Sequence, residues 1–66
     1  MAVAKTIEIV STSSEGIEAA IRNGIAKASE TVKGIEGAWV QDTKVLVRDN
    51  RVAEWRVTLK ITFVVS

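Results

Sequence analysis

The pattern of apolar residues predicts an α+β fold in the order β-α-β-β. From Val52 to Val65 apolar and polar residues alternate, as in a strand that buries one face. Between Ile17 and Val32 apolar residues recur at helical spacing. The segments Lys5–Val10 and Ala38–Arg48 are also typical of strands. We therefore expect a single domain, residues 1–66, in which a three-stranded antiparallel sheet partly wraps around one amphipathic helix.

The third predicted strand is long for the chain that contains it. Residues 52–65, at roughly 3.3 Å each, would span about 45 Å, whereas a compact chain of 66 residues has a radius of gyration of about 11 Å. The composition is 47% hydrophobic, and the chain has no Cys or His to supply a disulfide or a zinc site. Self-association is the remaining means of stabilisation, so we expect a homo-oligomer.

The ends of the helix are predicted from capping signals. Thr12 with Glu15 three residues later fits a capping box at the start. Gly34 fits a left-handed residue that ends the helix, which then extends to about Lys33. Gly24 lies on the apolar face, where a glycine costs about 1 kcal/mol relative to alanine. We expect close approach of the helix to the sheet at that position.

A tight turn at Asp49 and Asn50 would set the register of the last two strands. Arg48 then pairs with Arg51, and odd positions of the second strand share a face with even positions of the third. The face that packs on the helix would hold Val40, Leu46, Ala53, Trp55, Val57, Leu59 and Ile61. The opposite face would hold Trp39, Gln41, Thr43, Arg56, Thr58 and Lys60, with Trp39 opposite Lys60.

Trp39 is the candidate binding residue because its ring stands among polar groups on the face away from the helix. Beside amide, hydroxyl and guanidinium groups, an aromatic ring can stack a flat heterocycle whose edges are hydrogen-bonded. The alternative is that Trp39 fills an interface between subunits, where Trp is enriched. Trp55 is predicted to belong to the core.

Composition argues against several classes of function. The net charge of +1 gives no electrostatic footprint for nucleic acid. No apolar run approaches the length of a membrane span, and no secretory signal is evident, so a cytoplasmic location is expected. The chain lacks His and Cys, and its strand and turn carboxylates have no calcium-loop spacing. We therefore expect no enzymatic activity.

Three motifs in order resemble the dodecin family. Ile9–Ser13 reads I-V-S-T-S at the end of the first strand, and Glu18–Ile21 reads E-A-A-I in the helix, followed by A-x-A/S-x-x-T at Ala26–Thr31. Val57–Phe63 reads V-T-L-K-I-T-F in the last strand. Ala38–Val40 reads A-W-V, as in one variant of the family. The resemblance covers nearly the whole chain.

The resemblance implies a hollow homododecamer that stores flavin without catalysis. In flavin-binding dodecins the isoalloxazine rings stack between Trp side chains at the start of the second strand, and a Gln of the third strand reads the ring edge. These two positions correspond to Gly37 and Arg56 here, while Trp39 lies two residues further on the same face. The expected flavin contacts are therefore Trp39, Gln41, Arg56 and the space at Gly37.

The ligand expected from the resemblance is FMN, riboflavin or FAD. The guanidinium of Arg56 donates but cannot accept hydrogen bonds, which favours FMN over riboflavin. The alternative is a structural or carrier assembly that binds a nucleotide-like cofactor or a cation, or that binds no flavin.

Overall fold

The computed structural model describes residues 3–65 and has the predicted element order. Strand β1 is Val3–Ser13, helix α1 is Ile17–Ala28, strand β2 is Ile35–Arg48 and strand β3 is Arg51–Val65. All pairings are antiparallel, in the sheet order β1-β3-β2. Helix α1 packs on one face of the sheet, against β1 and β3. The α+β prediction is confirmed.

Strand β1 is longer than predicted because the hydroxyl residues at its end pair in the sheet. Ser11, Thr12 and Ser13 lie opposite Val57, Arg56 and Trp55 of β3. Helix α1 begins after Gly16, which makes no side-chain capping hydrogen bond. The predicted capping box of Thr12 and Glu15 is therefore wrong. Ladder hydrogen bonds to β3 outweigh the local capping preference of these side chains.

The helix also ends earlier than Lys33. After Ala28 the chain tightens into a turn, in which the Thr31 and Val32 amides both donate to the Ala28 carbonyl at 3.1 and 3.0 Å. The Ser29 hydroxyl donates to the Ala26 carbonyl at 2.7 Å. Hydroxyl side chains that bond to nearby carbonyls compete with helix continuation, which accounts for the early end.

Gly34 has the predicted left-handed backbone, with φ of 79°, but it precedes β2 and does not end the helix. Its carbonyl accepts a hydrogen bond from the Val64 amide at 3.0 Å. A Cβ at Gly34 would stand 3.2 Å from the Val64 carbonyl oxygen. Both the left-handed backbone and the close contact with β3 favour glycine here.

The core lies between α1 and the central strand. Val57, Leu59 and Ile61 of β3 are fully buried and pack against Ala20 and Ala28 of the helix. Partly buried isoleucines surround this group, namely Ile7, Ile9, Ile21, Ile25 and Ile35. The small helix residues let α1 approach the sheet closely, which is the reason predicted for the glycine at position 24.

The molecule is elongated rather than compact. Strand β3 has 15 residues, or about 50 Å of chain, and the longest dimension of the molecule is 52 Å. The radius of gyration of 13.5 Å exceeds the value of about 11 Å for a compact chain of this length. Strand β1 ends opposite Trp55, so residues 46–54 form a two-stranded hairpin arm. A lone two-stranded hairpin has little stability of its own.

Much apolar surface stays exposed along the sheet. Apart from two partly buried positions, every residue of β2 is exposed. The exposed large apolar side chains are Val3, Val10, Trp39, Val40, Val45, Val47, Val52 and Val65. Within residues 3–65, no helix has the length and apolar character needed to cross a membrane.

Candidate functional site

The predicted turn and the pairing of Trp39 are both confirmed. Asp49 and Asn50 have positive φ angles of 52° and 61°, as a two-residue type I′ turn requires. Arg48 lies opposite Arg51, and Trp39 lies opposite Lys60. The register predicted from the turn therefore holds at both of these places.

Between these two places, two β-bulges shift the register by one residue. One bulge is at Ala53 of β3 and the other is at Gln41 of β2, and neither residue has a partner on the opposite strand. Each extra residue reverses the alternation of side chains between the two faces. The two bulges lie on opposite strands, so their effects cancel before Trp39.

Because of the bulges, the faces predicted for residues between Gln41 and Leu46 are wrong. Thr43 lies opposite the buried Val57, on the helix side, although it was predicted beside Arg56. Leu46 lies opposite Glu54, away from the helix, although it was predicted in the core. The positions predicted for Gln41 and Thr43 are taken by Asp42 and Lys44, which lie opposite Thr58 and Arg56.

Trp39 presents its ring on the face away from α1. The residue is 63% exposed, and the Lys60 Nζ lies 5.5 Å from the ring centroid. At this distance the ammonium group is attracted by the electrons of the indole ring. Gly37 lies opposite Thr62 on the same strand pair. A Cβ built at Gly37 meets no atom within 4 Å, so there is open space beside the ring.

Trp55 lies on the opposite face, as predicted. It pairs with Ser13 and Val45, and it lies two residues before the buried Val57, so both side chains are on the helix side of the sheet. The residue is only partly buried within one chain. The predicted face of Trp55 is therefore right, but the prediction that it belongs to the buried core is wrong for a single chain. Helix α1 is too short to cover this end of the sheet.

Arg56 lies in a cleft of about 220 Å³ that also involves Val10, Asp42, Lys44 and Thr58. Cross-strand pairing places Val10 and Asp42 on either side of Thr58, and Lys44 beside Arg56. The Nε atom of Arg56 is buried and has no hydrogen-bond partner within the described chain. Asp42 and Lys44 were missed as site residues because the sequence carries no clear signal for the bulge at Gln41.

A larger cleft, of about 550 Å³, lies between β1 and the second half of α1. Its walls are mainly apolar and include Ile7, Ile9, Gly24 and Ala28. None of the predicted ligand contacts lies there. Because it runs along the unpaired edge of β1, this cleft suits packing against another chain better than recognition of a polar ligand.

The chemistry of the face around Trp39 is suited to binding. It combines an exposed aromatic ring with ammonium, guanidinium and hydroxyl donors. In the part of the chain that the structure describes, no three His, Cys, Asp or Glu side chains lie together as potential metal ligands. A flat heterocycle with polar edges and a negative charge is the kind of ligand that these groups match.

Comparison with known proteins gives one consistent family. A family model described as Dodecin matches residues 3–66. A protein named Dodecin from Thermus thermophilus is 34% identical over 61 residues, which cover 92% of this chain and 88% of that protein. The solved dodecin from Streptomyces davaonensis has a TM-score of 0.93 at 35% identity and covers 98% of this chain and 96% of its own. The dodecin structure from Streptomyces coelicolor has a TM-score of 0.94 at 31% identity, covering 98% and 93%.

Proposed function

This chain belongs to the dodecin family, and from that premise we propose that it is a non-catalytic flavin-binding protein. In this proposal, copies of the chain form a hollow homododecamer that stores or buffers flavin. The isoalloxazine ring stacks on Trp39, and polar groups of β2 and β3 hold its edges. We also propose that the protein is cytoplasmic, as expected from its sequence.

The exposed ring of Trp39 is the observation that supports ligand stacking most directly. A Trp side chain buries roughly 150–250 Å² when it is covered, and here 63% of the residue is exposed. Covering it would remove on the order of 100–150 Å² from water, which is worth about 3 kcal/mol. A flat aromatic ligand can cover this area without a change in the backbone, because the space beside Gly37 is open.

The surface of the sheet supports assembly. A chain of this size rarely supplies a sufficient core of its own, and only five hydrophobic residues are buried among those described. The exposed valines of β2 and the hairpin arm, for example Val45 and Val47, would be covered by neighbouring copies. The ligand site would then be completed by symmetry, because the face that carries Trp39 is open in a single chain.

The second candidate function is a carrier for a ligand other than flavin. The observation that favours it is the glycine at position 37, where flavin-binding dodecins are expected to have their stacking Trp. The side chains at the site would then hold another nucleotide-like cofactor. The two candidates differ in whether flavin itself binds, so one experiment separates them.

The experiment is reconstitution of the purified protein with flavin. We expect a yellow protein after riboflavin is added and excess ligand is removed, with strongly quenched flavin fluorescence because of stacking on Trp39. Retention of flavin at one ring per site on the assembled protein would support storage. A colourless protein that leaves riboflavin fluorescence unchanged would favour the carrier for another ligand.

A further inference from the structure

We propose that the dipeptide Asn23–Gly24 is a deamidation site that the folded helix keeps closed. Asn23 then loses its carboxamide nitrogen only in molecules whose helix α1 has opened. The proposal is independent of the flavin function, because none of the predicted ligand contacts lies on α1. It concerns the lifetime of the folded chain, since the lost ammonia makes the reaction irreversible.

The reaction closes a five-membered ring between the side chain and the main chain. The Gly24 nitrogen loses its proton to a base of the solvent and attacks the Asn23 Cγ, and the carboxamide nitrogen leaves as ammonia. Water then opens this succinimide at one of its two carbonyl carbons. Opening at Cγ gives aspartate. Opening at the main-chain carbon gives isoaspartate, in which the main chain runs through the side-chain carbons. The net change converts a carboxamide and water into a carboxylic acid and ammonia.

The first observation is that the packing of α1 favours a glycine directly after Asn23. An added Cβ at position 24 would stand 3.0 Å from the Ser11 Cβ and 3.2 Å from the Leu59 Cδ1. Glycine has no side chain to shield its nitrogen, so ring closure is less hindered at Asn-Gly than at other dipeptides. The other asparagine of the chain, Asn50, is followed by an arginine, whose side chain hinders the attack. The close contact of helix and sheet therefore creates the reactive dipeptide.

The second observation is that the helical backbone blocks the same reaction. Asn23 lies inside helix α1, and ring closure needs the Gly24 nitrogen to eclipse the Asn23 Cβ about the Cα–C bond. The helical ψ of about −42° keeps these two atoms apart. Gly24 is buried, so the backbone cannot rotate while α1 stays packed. The Asn23 side chain is exposed, so the backbone conformation rather than burial of the side chain protects the site.

The two products have different effects on the helix. Aspartate keeps the length of the main chain, and at position 23 it would lie four residues before Lys27, a favourable spacing for opposite charges in a helix. Isoaspartate adds one carbon to the main chain directly before Gly24. This shifts Gly24 relative to Ser11, at a place with too little room for one more carbon atom. Chains with isoaspartate therefore cannot pack α1 again, and they are lost from the native state.

The first test compares the rate of deamidation in the folded protein and in denaturant, in the same mildly alkaline buffer. Trypsin cleaves after Arg22 and Lys27 and releases residues 23–27, so mass spectrometry of this peptide follows Asn23 alone. We expect the folded protein to react at least about tenfold more slowly, the factor for an opening free energy of about 1.4 kcal/mol. Equal rates in both states would overturn the proposal.

A helix variant tests whether opening of α1 controls this rate. Ala26→Gly leaves the dipeptide unchanged and weakens the helix at an exposed position. It should accelerate the reaction of the folded protein about fivefold, the factor for about 1 kcal/mol of helix propensity, and leave the rate in denaturant unchanged. Ala26→Leu, which nearly keeps the helix propensity of alanine, is the control and should react as the unaltered protein does. An unchanged rate in Ala26→Gly would mean that something other than the helix, such as cover by another chain, protects Asn23, and would overturn the proposal.

Refolding tests the fate of the isoaspartate chains. The protein is kept in denaturant until part of the chains have reacted, then refolded, and the native species is isolated by size-exclusion chromatography. Tandem mass spectrometry of the peptide 23–27 distinguishes isoaspartate from aspartate. We expect the native species to contain the aspartate chains and to lack the isoaspartate chains. Isoaspartate in the native species at its proportion in the starting mixture would contradict the packing argument at Gly24.

Discussion

Gly24 of helix α1 lies so close to Ser11 of strand β1 that an added Cβ would stand 3.0 Å from the Ser11 Cβ. The Cδ1 atom of Leu59 would be 3.2 Å away. Inside a helix, glycine is about 1 kcal/mol less favourable than alanine. The close packing of helix and sheet therefore outweighs helix propensity at this position.

Gly24→Ala should destabilise the protein, although alanine is the better helix former. Because the contact is with a Cβ fixed to the backbone of β1, α1 must shift, and we expect a net loss of about 1–3 kcal/mol. Denaturant unfolding at a fixed protein concentration measures this. The matched control is Asn23→Ala, which is exposed on the same helix turn and should gain a few tenths of a kcal/mol. A higher unfolding midpoint for Gly24→Ala would contradict the packing argument.

The hairpin turn provides a second stability prediction. Asn50 has a φ of 61°, a left-handed conformation that glycine adopts without cost and that β-branched residues strongly avoid. Asn50→Gly should raise the unfolding midpoint slightly, and Asn50→Val should lower stability by about 1–2 kcal/mol. If valine were tolerated as well as glycine, residues 49 and 50 would not form the type I′ turn in solution.

The sequence predicted the order of the elements because each long element repeats its own period. The alternation in β3 and the helical spacing in α1 remain clear over many residues. The start of α1 was mispredicted because Ser and Thr at positions 11–13 are suitable for both a helix cap and a strand. Pairing with β3 decides between the two, and pairing is not visible in a local pattern.

The candidate site could be predicted only in part for a related reason. The pairing of Trp39 with Lys60 follows from the turn, and the structure confirms it. The bulges at Gln41 and Ala53 exchange the neighbours of Arg56, bringing in Lys44 in place of Thr43. A bulge adds one residue to a strand and does not require a glycine or a proline. The alternation of apolar and polar residues alone therefore does not reveal it.

The third prediction concerns assembly. Sedimentation at micromolar concentration should give a species of about 85 kDa, twelve times the chain mass of 7.1 kDa. Val45→Asp should weaken it, because Val45 is 42% exposed in one chain and we expect a neighbouring copy to cover it, where an unpaired carboxylate is costly. A compact monomer at all concentrations would contradict the assembly.

The control for this variant is Ser14→Asp, which adds the same charge in the exposed loop before α1. Near a helix N-terminus a carboxylate is neutral to stabilising, so Ser14→Asp should sediment as the unaltered protein does. Equal loss of assembly in both variants would indicate an effect of net charge rather than a buried position of Val45.

Gly37→Trp provides a prediction of gained affinity. The position has open space, with no atom within 4 Å of an added Cβ, so the variant should fold and assemble. It would place an aromatic ring where flavin-binding dodecins are expected to have theirs, and riboflavin affinity should rise by about tenfold or more. Fluorescence titration measures the change. Gly37→Ala is the control and should leave the affinity nearly unchanged, whereas unchanged binding in Gly37→Trp would place the flavin elsewhere.

The central claim is that flavin stacks on Trp39, and a riboflavin titration of the unaltered protein and of Trp39→Ala tests it most directly. Trp55→Ala serves as the comparison, because Trp55 lies on the opposite face and truncation of this partly buried side chain should lower stability by about 1–3 kcal/mol. We predict that riboflavin fluorescence is quenched by the unaltered protein. Trp39→Ala should keep its fold and lose about 100-fold in affinity, in line with about 3 kcal/mol of covered ring surface. No quenching by the unaltered protein at up to about 100 μM riboflavin, or unchanged quenching in Trp39→Ala, would contradict the account.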